Sequence, residues 1–457
     1  MAGRCWSKRT RCGRRPGSSG TSGRSGRRSG SRSPEGRGNG AAGMERVLIV
    51  GNGYAGLQAA RTLAREKALS VTMVSAEDCP AYVPHLLPEL AAGRMEAGDL
   101  FLPRGGEAGA TEIAFRPGAR VKKLFARKRA ALLSNDETIA FDKALVATGA
   151  SPWIPENLEP LLAQCGNVVA LKRLSDAIAL RNSLDGGARD IVIIGAGRGG
   201  MLLAEALKDR GAAVSIVEIG PRILATMLQQ DVAERLHPVL EKRRHLRLHT
   251  GTRIARFGID GGKVREVHLA DGAALPCDVV VIAAGVAPNT GFMEETLPAA
   301  GGLAVDDRME TAAPGIYAAG DVVFFETVTG KKEPGQLVVN ARTQGEVAAR
   351  NIAGHNVACP PMFTGNVVKL DPVIAARIGD IDGTDHADFT VQRDFVRATR
   401  NGSTVTGLQM IGDPESLRGL VPAVLKRFRP EDIADLFRGR SDLGLAPLLL
   451  SRGYAWA

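Results

Sequence analysis

The sequence predicts an α/β protein: two three-layer domains built on parallel sheets, with a small α+β domain after them. Three observations carry this. A strand, a glycine-rich turn and a helix occur twice, as VLIV-GNGYAG-LQAARTLA from Val47 and IVII-GAGRGG-MLLAEALK from Ile191. Each copy follows four apolar residues, opens an apolar-periodic helix and feeds a second strand, Ser70 to Val74 in one and Val214 to Val217 in the other. After about residue 358 the pattern changes to a mixed segment, 363–378, 391–399 and 405–411, then a helix over 417–428.

The glycine spacing has a chemical reason. Gly51, Gly53 and Gly56 make the first GxGxxG, with Tyr54 and Ala55 inside it; Gly195, Gly197 and Gly200 make the second. The first glycine of each supplies backbone freedom where a strand turns tightly into a helix. The second, lacking a Cβ, lets a pyrophosphate approach the backbone. The third lets the helix pack close to the strand. The pyrophosphate then sits on unpaired N–H groups at the positive end of the helix dipole. Two such corners predict two dinucleotides.

Composition bounds the rest. The chain has 457 residues, of which 44% are hydrophobic, enough for two or three cores. The formal charge of +10 lies entirely in residues 1–43, which hold eleven Lys and Arg against one acid, Glu35. From Met44 onward the chain is neutral, so the charge points to no nucleic-acid partner for the folded part. The Gly/Ser/Arg-rich leader 1–43 is expected to be disordered, with translation starting at Met44. No CxxC pair and no Cys/His set with metal spacing occurs among the six cysteines, so no metal site is expected. Scattered cysteines without a secretion signal suit a reducing cytoplasm, and no run of 18 apolar residues could span a membrane.

Several stretches in chain order are candidate site residues. After the strand ending at Val74, the place of the usual ribose-binding acid holds Ser75, with Glu77 two positions on. AYVPHLLPELAAG, around Pro84, is an apolar, proline-stiffened loop suited to wall a flat ring, and His85 lies within it. A strand pair is expected around Val121 and Leu132–Leu133. FDKALVATGASP ends a strand in Thr148-Gly149, where the backbone can pass close to a ligand. In the second unit the strand ends in Glu218, 23 residues after Gly195. A carboxylate there accepts hydrogen bonds from both adenosine ribose hydroxyls and repels a 2′-phosphate, favouring NAD over NADP. Arg222 is close enough in sequence to neutralise such a phosphate. VVVIAAG ends a buried strand at Gly285, and APGIYAAGDV ends one at Gly320-Asp321, a carboxylate placed to bond a ribityl chain.

GNGYAG, VATGA, GAGRGG with Glu218, VVIAAGVAPNT and GIYAAGDV occur in that order. The set resembles the two-dinucleotide-binding-domain flavoproteins, the pyridine nucleotide-disulfide oxidoreductases, from about Met44 to Gly412. The resemblance implies two Rossmann-like domains. The first binds FAD through Gly51, Gly53 and Gly56, with Thr148-Gly149 abutting it and Asp321 at its ribityl–pyrophosphate region. The second, inserted in the first, binds NAD(H). The implied boundaries are 44–155 and 285–358 for the FAD domain, 156–284 for the NAD domain and 359–457 for an α+β interface domain that could pair copies into a homodimer. The terminal segment looks most like that of rubredoxin reductases and the NADH-binding part of nitrite reductases. The sequence departs from the family where disulfide reductases carry CxxxxC: His85 and Leu86 stand near that place, and Cys79 is unpaired. The acid that many members carry just after the second GxGxxG is Leu202 here, with Glu205 next.

The resemblance implies an FAD-dependent NAD(P)H oxidoreductase that passes electrons to a protein or small acceptor, such as rubredoxin or an iron–sulfur protein. Hydride transfer between nicotinamide and flavin needs no acid or base from the chain, so no catalytic side chain is assigned. An NADH:quinone reductase of the type II kind is the alternative, with LLPELAAG similar to that family's flavin-side loop. Its two quinone-site glutamines correspond to Val339 and Thr343 here. Docking of the apolar end, 445–457, on a membrane surface is not favoured over packing. A non-catalytic flavin-binding redox sensor is the alternative of another class.

Overall fold

The computed structural model describes residues 44–103, 111–293, 301–391 and 394–413. The leader 1–43, the helix expected over 417–428 and the apolar end 445–457 lie outside the described residues.

The first glycine-rich unit builds a five-stranded parallel sheet in the order Ile316–Ala318, Lys143–Val146, Glu45–Val50, Leu69–Val74, Ile113–Arg116. The central strand shows why. With side chains alternating at period two, Val47 and Ile49 face one side and Leu48 and Val50 the other, and all four are buried. Val47 and Ile49 pack on the helices Tyr54–Leu63 and Val338–Ile352. Leu48 and Val50 pack on a three-stranded antiparallel sheet, Val121–Phe125, Ala130–Leu133 and Thr138–Ala140. The expected pairing of Val121 with Leu133 is there.

The second unit repeats this plan. Its parallel sheet runs Leu246–Thr250, Ala213–Glu218, Asp190–Ile194, Val279–Ile282, Val168–Val169. Ile191 and Ile193 face the helix side, against Met201 and Leu203. Val192 faces the meander Ile254–Asp260, Lys263–Leu269 and Ala274–Pro276, against Val264 and Val267. The two units are joined by an antiparallel ribbon in which Ala150–Pro152 pairs with Val286–Pro288.

The terminal domain is an antiparallel sheet in the order Gly365–Leu370, Val373–Gly379, Thr404–Gly412, Asp394–Asn401, His386–Val391. The stretch 363–378, read as one segment, is a hairpin closing at Leu370 and Val373. The strand His386–Val391 was not anticipated, because HADFTV mixes charge with its apolar residues. One face of this sheet, through Val368, Leu370 and Ile411, joins the core of the second unit. The buried Arg397 fixes the seam, donating to Asp231 and Asp388 on opposite sides at 2.6–2.8 Å. Two acids around one buried guanidinium balance the desolvation of its charge.

Candidate dinucleotide site

Both sheets reverse direction of travel beside their central strand, and ligands of open α/β sheets bind outside the carboxyl ends at such switch points. At the first, the strand Glu45–Val50 ends in Gly51, beside the end of Lys143–Val146. Gly51 has φ of +116°, and an added Cβ would lie 2.1 Å from the Ala147 carbonyl oxygen. Gly56 is equally confined, since its Cβ would lie 2.0 Å from the Gly51 oxygen. Gly53 is different: an added Cβ meets nothing within 4 Å. It is the N-cap of the helix Tyr54–Leu63, with no side chain capping it.

The second corner has the same division of labour. Gly195 has φ of +109°, with a would-be Cβ 2.5 Å from the Ala283 oxygen; that of Gly200 would be 2.1 Å from the Gly195 oxygen; and Gly197 again faces open space. Two glycines build each corner, and the third leaves it open toward solvent. Each cradle therefore has the room and the free helix N–H groups that a pyrophosphate requires.

Thr148-Gly149 and Gly320-Asp321 follow neighbouring strands of the first sheet, and Ser75 follows Leu69–Val74, so all share its carboxyl edge with Gly51. Gly149, Gly285 and Gly320 all have positive φ. Ala55, buried, packs against Gly320 and against Gly345 of the helix Val338–Ile352, while Tyr54 is half-buried at the helix start. Gln344, fully buried, accepts the Gly320 N–H at 2.8 Å. Pro84 opens a single 3-10 turn that includes His85, ahead of the helix Leu87–Ala91. The Val121 side chain packs with Leu124 and Leu133 in the core, so only its backbone can reach a ligand.

Glu218 closes the second corner. Its carboxylate accepts the Ala196 N–H and the Gly220 N–H, both at 2.8 Å, which fixes it at the edge of the GxGxxG turn with lone pairs to spare. The Arg222 guanidinium donates to the carbonyls of Leu228 (2.9 Å) and Ala225 (3.3 Å), which hold it to the turn that follows the strand. In the first unit Glu77 is engaged otherwise: the Tyr82 hydroxyl donates to its carboxylate at 3.1 Å.

Glu205 is not a solvent-facing helix residue. It is buried and ion-paired with Lys208 at 3.0 Å and with Arg243. Arg243 accordingly belongs to a buried pair. Asp371, Asp382 and Asp385 lie outside the strands, paired with Lys208, Lys331 and Arg400. Among the described residues no cluster of His, Cys, Asp and Glu could hold a metal ion, and no helix is long and apolar enough to cross a membrane.

The partners at the site come from residues far apart in the chain. Asn289 ties the returning ribbon to the first unit: its Nδ2 donates to the Thr148 carbonyl at 2.8 Å and its Oδ1 accepts from Ser151 at 2.7 Å. The Thr148 hydroxyl is spent on the Asn289 carbonyl at 2.9 Å. Lys172 and Arg198, both from the second unit, face Asp321 of the first; burial holds the Asp321 carboxyl above its usual range, and these two cations oppose that shift in part.

Burial also quiets the thiols. The Cys79 thiol is pushed up to about 11, chiefly by burial and then by Glu77 and Asp78, and Cys277 and Cys359 to about 12. A thiol with a raised pKa stays protonated, and so weakly nucleophilic, at neutral pH. Alkylation of Cys79 in the native protein is expected to keep rising past pH 9 toward 11, followed by peptide mass spectrometry at increasing pH. Cys79→Ser should leave NADH-dependent turnover unchanged; saturation near neutral pH, or loss of turnover, would restore a thiol relay.

The comparisons with known proteins agree with this geometry. The chain is 29% identical over 286 residues to the NADH-dependent phenylglyoxylate dehydrogenase subunit epsilon of Aromatoleum evansii, covering 62% of this chain and 66% of that protein. It is 28% identical over 311 residues to the benzene 1,2-dioxygenase system ferredoxin–NAD(+) reductase subunit of Pseudomonas putida, covering 66% and 73%. The chain thus spans between half and two-thirds of the first relatives it matches, at 66%, 52% and 53% of their lengths. Putidaredoxin reductase, in the crystal structure of its covalent complex with putidaredoxin, shares the fold with a TM-score of 0.76 at 22% identity, over 89% of this chain and 98% of that one. The model of the pyridine nucleotide-disulphide oxidoreductases, whose members bind FAD and NAD(H), matches residues 45–345. With both glycine corners inside that match, the chain belongs to the pyridine nucleotide-disulphide oxidoreductase family.

Proposed function

We propose that the chain is an NADH-dependent flavoprotein reductase: NADH at the second corner reduces FAD at the first, and the electrons leave to an iron–sulfur protein. The observation that carries this reading is the pair of open cradles, Gly53 and Gly197, on two units joined by a ribbon and a shared core. The flavin, when bound, accepts two electrons together and can release them singly, which suits a nicotinamide donor and an iron–sulfur acceptor.

The chain's own contribution is placement. The N-terminal N–H groups of the helices Tyr54–Leu63 and Arg198–Ala206 would hold the pyrophosphates. Glu218 would take the adenosine ribose of NADH, and with Arg222 tied to the Leu228 and Ala225 carbonyls the carboxylate would select against a 2′-phosphate. Gly149 and Gly320 let the backbone pass close to the flavin nucleotide, and Asp321 would take ribityl hydroxyls. Fixing donor and acceptor in contact converts their encounter into an intramolecular event.

The acceptor class rests on two supports. The protonated thiols disfavour a disulfide acceptor. The similar protein from Pseudomonas putida is, by name, a ferredoxin–NAD(+) reductase subunit. Reduction rates with NADH, compared for a [2Fe–2S] ferredoxin, rubredoxin, a quinone, a disulfide and oxygen, test the reading. Iron–sulfur reduction should be fastest; a faster quinone or disulfide would overturn that assignment.

A further inference from the structure

Lys172 reaches across the two units. It sits between the strand Val168–Val169 and the helix Leu174–Asp185 of the second unit, and its Nζ lies 4.0 Å from Oδ2 of Asp321 in the first. Both side chains are half-buried, keeping 28% and 31% of their area open. At 4.0 Å the charges attract without a hydrogen bond between them, so ammonium protons and carboxylate lone pairs both stay available to a third group.

The loop that carries Lys172 is built, not incidental. Asp176 accepts the backbone N–H of Lys172 at 3.1 Å and of Arg173 at 2.8 Å. The Leu174 N–H donates to the Tyr82 hydroxyl at 3.2 Å, and Tyr82 donates in turn to Glu77. The first unit thereby pins the loop on which the second unit delivers its cation. Arg198, at the start of the second glycine helix, adds a further positive charge facing Asp321.

We propose that Lys172 is a positioning residue for the flavin nucleotide, holding Asp321 as a carboxylate that can bind ribityl hydroxyls beside a pyrophosphate of like charge. This rests on the reading of Asp321 as an FAD contact. Without a cation, a carboxylate in that crevice would be neutralised or would repel the phosphates. Flavin affinity then depends on a residue of the nicotinamide unit, and no residue of the first unit substitutes for it among the charges bearing on Asp321.

The test is FAD affinity by flavin fluorescence, with the full chain, in a double-mutant cycle of Lys172→Met and Asp321→Asn. Loss of one charge-assisted contact predicts binding about tenfold weaker for K172M. Lys172→Arg should recover most of it, and K172M should have little further effect in the D321N background. Lys172→Gln serves as the second variant, and circular dichroism of each apoprotein confirms folding. Parent-like affinity in both K172M and K172Q overturns the proposal. So does an equal loss in the D321N background, which would mean that Lys172 acts independently. If D321N alone leaves affinity unchanged, the reading of Asp321 fails, and this proposal with it.

Discussion

Gly53→Ala is expected to fold like the parent and to lose FAD, whereas Gly51→Ala is expected to lose the fold. Both replace one hydrogen by a methyl, two residues apart in the same turn. The Gly51 methyl would stand 2.1 Å from the Ala147 carbonyl oxygen, at a φ of +116°. The dihedral strain alone costs of order 1–3 kcal/mol, and the overlap adds more because the neighbour is strand backbone that cannot turn aside. The Gly53 methyl meets no protein atom within 4 Å, so apoprotein stability should not change measurably. It would occupy the space against which a pyrophosphate must close. Thermal melts of the apoproteins and FAD titrations separate the two. The same contrast holds for Gly195 and Gly197, read out as NADH affinity with flavin content unchanged. A Gly53→Ala protein that binds FAD as the parent does would remove the first cradle from the account.

Glu218→Ala is expected to raise KM for NADH by about ten- to a hundredfold, the range of a lost charged hydrogen bond, with little change in kcat at saturating NADH. The contact is to ribose, remote from the reacting ring, so it serves binding in ground and transition states alike. For NADPH the direction is opposite: removing a carboxylate relieves its repulsion of the 2′-phosphate, so KM for NADPH should stay level or fall. Arg222→Ala should leave the preference unchanged, because its guanidinium already serves the Leu228 and Ala225 carbonyls. Equal increases for NADH and NADPH on Glu218→Ala would mean that the residue only braces the Ala196 and Gly220 N–H groups.

The fold was legible where local rules and the global sheet agree. The two glycine corners and the strands that precede them are written in short stretches of chain. So was the reach of the sheet edge: Thr148-Gly149 and Gly320-Asp321 each end a parallel strand, which in an open α/β sheet is where ligands gather. What the sequence hid depends on side chains far apart along the chain. Lys172 reads as one lysine in a helix approach, and nothing local connects it with Asp321. Glu205 looked like a helix-surface acid because its partner Arg243 comes from a distant turn. The strand His386–Val391 was missed because Asp388 within it pairs with the buried Arg397, a use of charge that period-two patterning does not express.

The central claim is that the two cradles put a nicotinamide and a flavin in electronic contact. Anaerobic titration of the FAD-loaded protein with NADH tests it most directly, by following the visible absorption of the bound flavin. The account predicts stoichiometric bleaching by NADH in the parent, and bleaching that needs far more NADH in Gly197→Ala. A protein that holds flavin firmly yet keeps its colour under excess NADH would contradict it.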